Sequence, residues 1–355
     1  MRNDHTSSTI RKIRNRDVTD CSMNKFGRGG FVANGAKAMT VGAAQFWPLD
    51  HLLGMDLELL QNVETPNYEL IMAACCMIIG ESPSARAMME EAADEGWSLG
   101  CDTLENGDFT LDLVNRIIIV DHNGMRPAAL AHSEYFQNAL MVCLVRALRD
   151  VWQEKRHGAF DEQYGPQDVL MLERVRAADR EAMAILSAWE LRSENHGEIW
   201  RHIIGSPEGD MAMAFSGHLE RDPSSLFNGK ALVSAFRQWF ADQGRSNAVD
   251  HETLEYLDDI LDSAPEANPF GDMRLTKGGV EILSCLPDRT AYLHHLGGEI
   301  LSDPAYAGLH DPINQSHLFQ IIHDMKVVVV ADVPFQDIGL ARKIFPEFHS
   351  SDSLH

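Results

Sequence analysis

The stretch Ala139-Leu140-Met141-Val142-Cys143-Leu144-Val145-Arg146-Ala147-Leu148-Arg149-Asp150-Val151-Trp152-Gln153 decides the fold. Its first seven residues are apolar, so a helix through them has no polar face. Such a helix belongs in the interior of a protein rather than on its surface. The helical pattern runs from Glu134 to about Lys155, with Ser133 placed to cap its start and Gly158 beyond its end. Charges then enter this apolar helix at Arg146, Arg149 and Asp150. An unpaired buried charge is very costly, so each needs a partner. Arg146 and Asp150 stand four apart on one face and can pair with each other.

After Gly165 and Pro166 a second helix is predicted from about Asp168 to Arg192. Val175, Ala178, Ala182, Ile185 and Trp189 recur there at spacings of three and four, an inward apolar stripe. Asp179 and Glu181 lie beside that stripe. An ion-pair network made from Arg146, Arg149, Asp150 and Asp179 is therefore expected between the two helices.

The rest of the chain is arranged around this pair. Pro66 opens a predicted helix through Ile79, with Thr65 as its N-cap, and residues 82–97 form a second helix closed by Gly96. Shorter helices are expected near 208–220, 229–242 and 250–262, the last capped by Asp250. Arg116-Ile117-Ile118-Ile119-Val120-Asp121 is the clearest strand, and Val327-Val328-Val329-Val330 is a second β-prone run. Two such runs make no βα alternation, which argues against a Rossmann or barrel layout. The reading is a mostly α fold with a multi-helical core and a minor β element. Its expected divisions are a basic arm at 1–45, a helical hairpin region at 46–110, a helical core at 111–262 and a C-terminal helical region at 263–355.

Charge narrows the function classes. The chain of 355 residues carries 30 Lys/Arg and 53 Asp/Glu, a formal net charge of -23. That balance opposes nonspecific binding of nucleic acid or anionic membrane by the body of the protein. Residues 1–40 run the other way, with eight Lys/Arg against three Asp/Glu, which leaves 22 and 50 for the remainder. Arg11, Lys12, Arg14, Arg16, Lys25 and Arg28 make this a partner-binding arm, for an acidic protein surface, for nucleic acid, or for the chain's own acidic body. None of the six cysteines forms a Cys-x-x-Cys pair, which fits a reducing compartment. No signal-peptide segment stands at the start, and the longest apolar run, residues 70–79, is too short for a bilayer, which needs roughly 20 residues. These features predict a soluble, cytoplasmic protein.

The quoted run at 144–153, together with Arg174-Val175-Arg176-Ala177-Ala178-Asp179-Arg180-Glu181 and the residues following to 191, resembles an uncharacterised bacterial family catalogued as putative metallopeptidases. Similarity continues through Phe227-Asn228-Gly229-Lys230-Ala231 and Ala235-Phe236-Arg237-Gln238-Trp239-Phe240, covering roughly residues 115–260. The resemblance implies a zincin-like fold. In a zincin, His-Glu-x-x-His sets two imidazoles four apart on one helix face, with the glutamate as general base. Laid on that pattern, this chain has Arg146 at the first histidine, Ala147 at the glutamate and Asp150 at the second histidine. A guanidinium does not ligate zinc and alanine does not activate water.

Other candidate sites have plainer explanations. His132-Ser133-Glu134 has the His-x-Glu form of zinc deaminases, but the Pro-Cys-x-x-Cys partner is missing, and N-capping by Ser133 accounts for it. Glu198 and His202 share a helix face near His196, as a surface turn does. His294, His295, His310, His317 and His323, with Glu299, Asp303 and Asp311, cluster near the C-terminus without an i,i+4 histidine pair. No Walker loop, Gly-x-Ser-x-Gly elbow or dinucleotide fingerprint is present.

The sequence therefore points to a non-catalytic, degenerate metallopeptidase-like scaffold that acts through protein interactions and needs no cofactor. Two alternatives stay open. One is a metal-dependent hydrolase drawing a divalent ion's ligands from Asp150, Asp179, Glu181, His132 and His196. The other is a nucleic-acid-associated protein using the arm.

Overall fold

The computed structural model describes residues 45–55, 66–104, 108–157, 163–263 and 268–332. Strand β1 (Phe46–Pro48) and helix α1 (Leu49–Leu53) come first, then α2 (Tyr68–Ile79) and α3 (Pro83–Asp94). Strands β2 (Ser98–Asp102), β3 (Phe109–Asp112) and β4 (Ile117–Asp121) follow, then α4 (Pro127–Ala131) and the long helices α5 (Glu134–His157) and α6 (Pro166–Ser193). Helices α7 (Gly197–Ile204), α8 (Gly209–Arg221), α9 (Lys230–Ala241) and α10 (Gln243–Ser263) wrap α6. The described chain ends through α11 (Lys277–Leu283), α12 (Gly297–Ser302), α13 (Pro304–Ala307) and α14 (Pro312–Asp332). The fold is mostly α with one small sheet.

Residues 139–145 are buried almost throughout, as an all-apolar helix requires, so α5 is the central helix. Its partner differs from expectation. α6 was read as a helix with one inward stripe, yet Arg174, Arg176, Asp179, Arg180 and Glu181 are buried as fully as Val175 and Ile185. Other helices cover α6 on every side, so it carries its charges inside the protein. Contacts between the two helices pair Arg146 with Glu181, Arg149 with Asp179 and Glu154 with Arg176, so they run in opposite directions. One apolar cluster runs from Trp47 to Tyr306 and draws on 46–110, 111–262 and 263–355 alike. A smaller cluster joins Val169 and Leu170 of α6 to Leu254, Leu257 and Leu261 of α10 and Ile321 of α14.

The sheet has strand order β1-β2-β4-β3. β2 runs parallel to β4, with Ser98 opposite Ile117 and Asp102 opposite Asp121, while β3 returns antiparallel with Phe109 opposite Val120. β4 is the strand expected from the Ile-Ile-Ile-Val run. β1, β2 and β3 were not expected, since segments of three to five residues, with a proline in β1 and a glycine in β2, are too short to carry a clear pattern. The helix predicted to Trp97 stops at Asp94, because the chain must turn there to enter β2. Asn67, not Thr65, caps α2, accepting from the Leu70 amide; Thr65 lies outside the described residues.

Two further expectations are corrected. Residues 327–330 belong to helix α14 rather than to a strand. β-Branched residues favour strands only where a pleated surface receives them, and here a helix already under way continues through them. Asp250 is no cap: it lies inside α10, fully buried, facing Arg174.

Candidate functional site

The charged seam between α5 and α6 is the most unusual feature of the interior. At its centre Arg149 and Asp179 are both 0% exposed and form a two-pronged pair, Nε to Oδ2 at 2.7 Å and Nη2 to Oδ1 at 3.1 Å. Asp179 also accepts from Gln153 Nε2 at 2.6 Å and from the Tyr292 hydroxyl at 2.7 Å. Four donors thus replace the water that this carboxylate gave up. Burial, and then the charge of Asp179, push the Tyr292 hydroxyl well above the usual tyrosine range, so it stays a donor.

Towards one end, Arg176 meets Glu154 and Asp150, the latter at 3.5 Å, and Arg180 lies 3.9 Å from Asp150 and 3.7 Å from Glu181. Farther along α6, Arg174 grips both oxygens of Asp250 at 2.5 and 2.8 Å and donates to the Tyr306 carbonyl at 2.9 Å. At the other end Arg146 meets Glu181 at 2.7 Å, Glu208 at 3.3 Å and Asp108 at 3.6 Å. The sheet supplies Asp108, which precedes β3 and is anchored where its carbonyl accepts from the Asp121 amide of β4. Burial would lower the Arg146 pKa, but the three carboxylates outweigh it and hold the guanidinium well above its ordinary value. Burial raises Glu181, with Arg146 compensating only in part. Burial would also raise Glu208, but Arg146 and the Ser206 hydroxyl reverse that and hold it below its ordinary value.

The expected ion-pair residues are thus placed as follows. Arg149 and Asp179 face each other. Arg146 and Asp150 do not pair: Arg146 reaches Glu181, and Asp150 is met by Arg176 and Arg180. An i,i+4 pair on one helix gives way because α6 lies alongside with oppositely charged groups already fixed in the interior. Arg176, Arg180, Glu154 and Tyr292 were missed. The signal for the first three was available, since charges repeated along 174–181 and at Glu154 need partners once both helices are read as central. Tyr292 stands more than a hundred residues away and gave no signal.

The candidate metal ligands do not converge. Asp150, Asp179 and Glu181 each face arginine. His132 ends α4, its Nδ1 2.6 Å from the Ala128 carbonyl. From the start of α5 nearby, Asp150 is about 24 Å farther along the helix at 1.5 Å per residue. His196 sits between Glu81 at 3.1 Å and Glu198 at 3.3 Å. Among the described residues, no group of three or more His, Cys, Asp or Glu side chains is arranged to hold a metal ion. A divalent metal does not fit these carboxylates: the Asp179 oxygens already accept from Arg149, Gln153 and Tyr292, and Asp150 and Glu181 each lie against guanidinium groups whose positive charge opposes a second cation. The C-terminal histidines do not gather into such a group either, although His294 and His295 pack ring against ring with centroids 3.6 Å apart. His294 leans on Glu281 at 3.4 Å, His317 on Asp258 at 2.5 Å and His323 on Asp324 at 3.2 Å, while His310 contacts the Pro304 carbonyl. The arm residues Arg11, Lys12, Arg14, Arg16, Lys25 and Arg28 lie outside the described residues.

The seam reaches solvent at its Arg146 end. Ser206 donates to the Glu208 oxygen that faces Arg146, at 2.8 Å, and also lines a recess of about 630 Å³ with Tyr135, Arg201, His202, Gly205 and Pro207. His202 stacks edge-on against Tyr135, with ring centroids 5.0 Å apart. Burial and the nearby Arg146 lower the His202 pKa, so its imidazole is neutral at pH 7.

Fold and seam together define a mostly helical protein built on a pair of central helices with a charged interface. Residues 129–294 match the model of the putative metallopeptidase family (DUF6782). The match contains both segments that carry the resemblance, 144–153 and 174–191, and extends past 260 to include Tyr292. No curated protein and no solved structure matches the chain. No helix among the described residues is long and apolar enough to cross a membrane.

Proposed function

We propose that the chain is a non-catalytic scaffold of metallopeptidase type, in which arginine–carboxylate pairs replace the metal site and function lies in contacts with a protein partner. One observation carries this reading. Where a zincin-like helix would present His, Glu and His, this chain has Arg146 engaged with Glu181, Glu208 and Asp108, Ala147 fully buried in the apolar core, and Asp150 between Arg176 and Arg180. Arg146 and Ala147 offer a metal no lone pair and a water no base, and Asp150 lies against two guanidinium groups whose charge opposes a metal ion. In this reading the basic arm around Arg11–Arg28 engages an acidic partner, and the recess beside Arg146 is a vestige of the substrate cleft.

The test is elemental analysis of untagged protein purified without chelator, combined with hydrolysis assays on a mixed peptide library. The expected result is folded protein with well below one equivalent of zinc, manganese or iron and no cleavage above a heat-inactivated control. Stoichiometric metal with cleavage that a chelator abolishes would overturn the proposal and establish the hydrolase alternative.

A further inference from the structure

Away from the charged seam, α2, the end of α4 and the first turns of α5 enclose a recess of about 410 Å³. Leu70, Ile71, Ala74, Cys75 and Ile78 form its α2 wall, and Met141 of α5 lies opposite. These α2 positions repeat at three and four residues, so one helix face supplies the whole apolar wall. Burial, and then the neighbouring Cys101, push the Cys75 thiol up to about 12, so it is a small soft hydrophobe rather than a nucleophile. The volume lies within the range of roughly 300–1,000 Å³ typical of small-molecule sites.

Two of the lining side chains are polar, Gln137 and His132, and their backbone contacts fix what each offers. Gln137 Nε2 donates to the carbonyls of Leu130 at 3.1 Å and Ala131 at 2.7 Å. Two carbonyls accept only from an N–H, so the amide orientation is set and Oε1 is left as an acceptor. His132 Nδ1 lies 2.6 Å from the Ala128 carbonyl, which can only accept, so that nitrogen carries a hydrogen, and in the Nδ1–H tautomer Nε2 is an acceptor. Both residues have committed donors to the backbone of one short helix. The two polar side chains of this apolar recess therefore have acceptors, not donors, to offer a ligand.

We propose that this recess binds a small, largely apolar molecule with a hydrogen-bond-donating head, an alcohol or primary amide, the head meeting His132 and Gln137 and the body lying along α2. A carboxylate is the wrong ligand, because it would set acceptor against acceptor in apolar surroundings. This site does not depend on the scaffold reading, since none of its residues belongs to the charged seam.

The test measures binding to the full-length chain by calorimetry, at a pH well above the histidine range, with 1-octanol, octyl methyl ether and octanoate as probes. The three share an apolar body and differ in whether the head donates. Octanol is expected to bind saturably, the ether about tenfold more weakly, as one unmet hydrogen bond costs, and octanoate more weakly still. Ala74→Phe, which fills the recess from its rim, is expected to abolish octanol binding without lowering the melting temperature. His132→Phe is expected to bring alcohol and ether close together. Absence of saturable octanol binding, equal affinity for alcohol and ether, tighter binding of octanoate, or unaltered binding by folded Ala74→Phe would each overturn the proposal.

Discussion

Asp179 shows how this protein keeps charges inside. Its carboxylate holds Arg149, Gln153 and Tyr292 together, so removing one partner is worse than removing the charge itself. Arg149→Met should leave a buried carboxylate without its cation and destabilise the fold by about 3–5 kcal/mol. Adding Asp179→Asn removes that charge; its oxygen can face Gln153 while its amide donates to the Tyr292 hydroxyl, so the double variant should recover most of the loss. Urea unfolding of the parent and both variants decides the matter; a double variant no better than the single would show that charge pairing is not what the seam contributes. Glu208 gives a pH signature at the other end. Its folded pKa lies below its ordinary 4.5, so its contribution is present above that value and is lost as pH falls through the lower folded one. Glu208→Gln should therefore be less stable than the parent at neutral pH, with the gap closing in acid. Glu181 has the opposite sign. Its folded pKa is raised, so acidification through the raised value relieves a cost, and the two glutamates partly cancel in the parent's own pH profile. A Glu208→Gln gap that is the same in acid as at neutral pH would remove Glu208 from the seam.

Among the elements, legibility followed the strength of local pattern. Residues 139–145 announce a buried helix because seven consecutive apolar side chains leave no wet face, and Ile117 to Val120 announce a strand because branched residues crowd a short segment. β1, β2 and β3 were invisible, since Ser98-Leu99-Gly100-Cys101-Asp102 becomes a strand only when β1 and β4 flank it. The seam was half legible: the need for partners followed from burial, but their identity depended on how α6 lies along α5. Gly229 links elements in a way no local pattern reveals. It enters α9 at φ 75°, and a Cβ there would stand 2.5 Å from the Tyr292 Cβ. Gly229→Ala should cost more than the 1–2 kcal/mol or so of the left-handed backbone alone, because it also displaces the tyrosine that reaches Asp179. A thermodynamic cycle with Tyr292→Phe checks this. Coupling above about 0.5 kcal/mol is expected, and strict additivity would show that the displacement never reaches the seam.

For the whole molecule, two charge systems respond to salt in different ways. Away from its Arg146 end the seam is shielded from ions by the helices around α6, so added salt leaves Arg149–Asp179 and Arg174–Asp250 almost unchanged. The surface carries the excess of a chain with 53 acidic and 30 basic residues, and at neutral pH that excess repels itself in the compact state. Exposed pairs such as Arg237–Glu299 oppose it, yet each contributes only about 0–1 kcal/mol and is screened by the same ions. Raising sodium chloride from about 0.02 to about 0.5 M shortens the screening length from more than 10 Å to less than 8 Å, which weakens repulsion spread across the surface more than attraction at contact distance. Melting temperature should therefore rise with salt, and the rise should be as large in the Arg149→Met, Asp179→Asn double variant as in the parent. If melting temperature falls instead, exposed ion pairs outweigh the net charge. If the rise differs between parent and double variant, ions reach the seam, and its arginines and carboxylates are open to ligands after all.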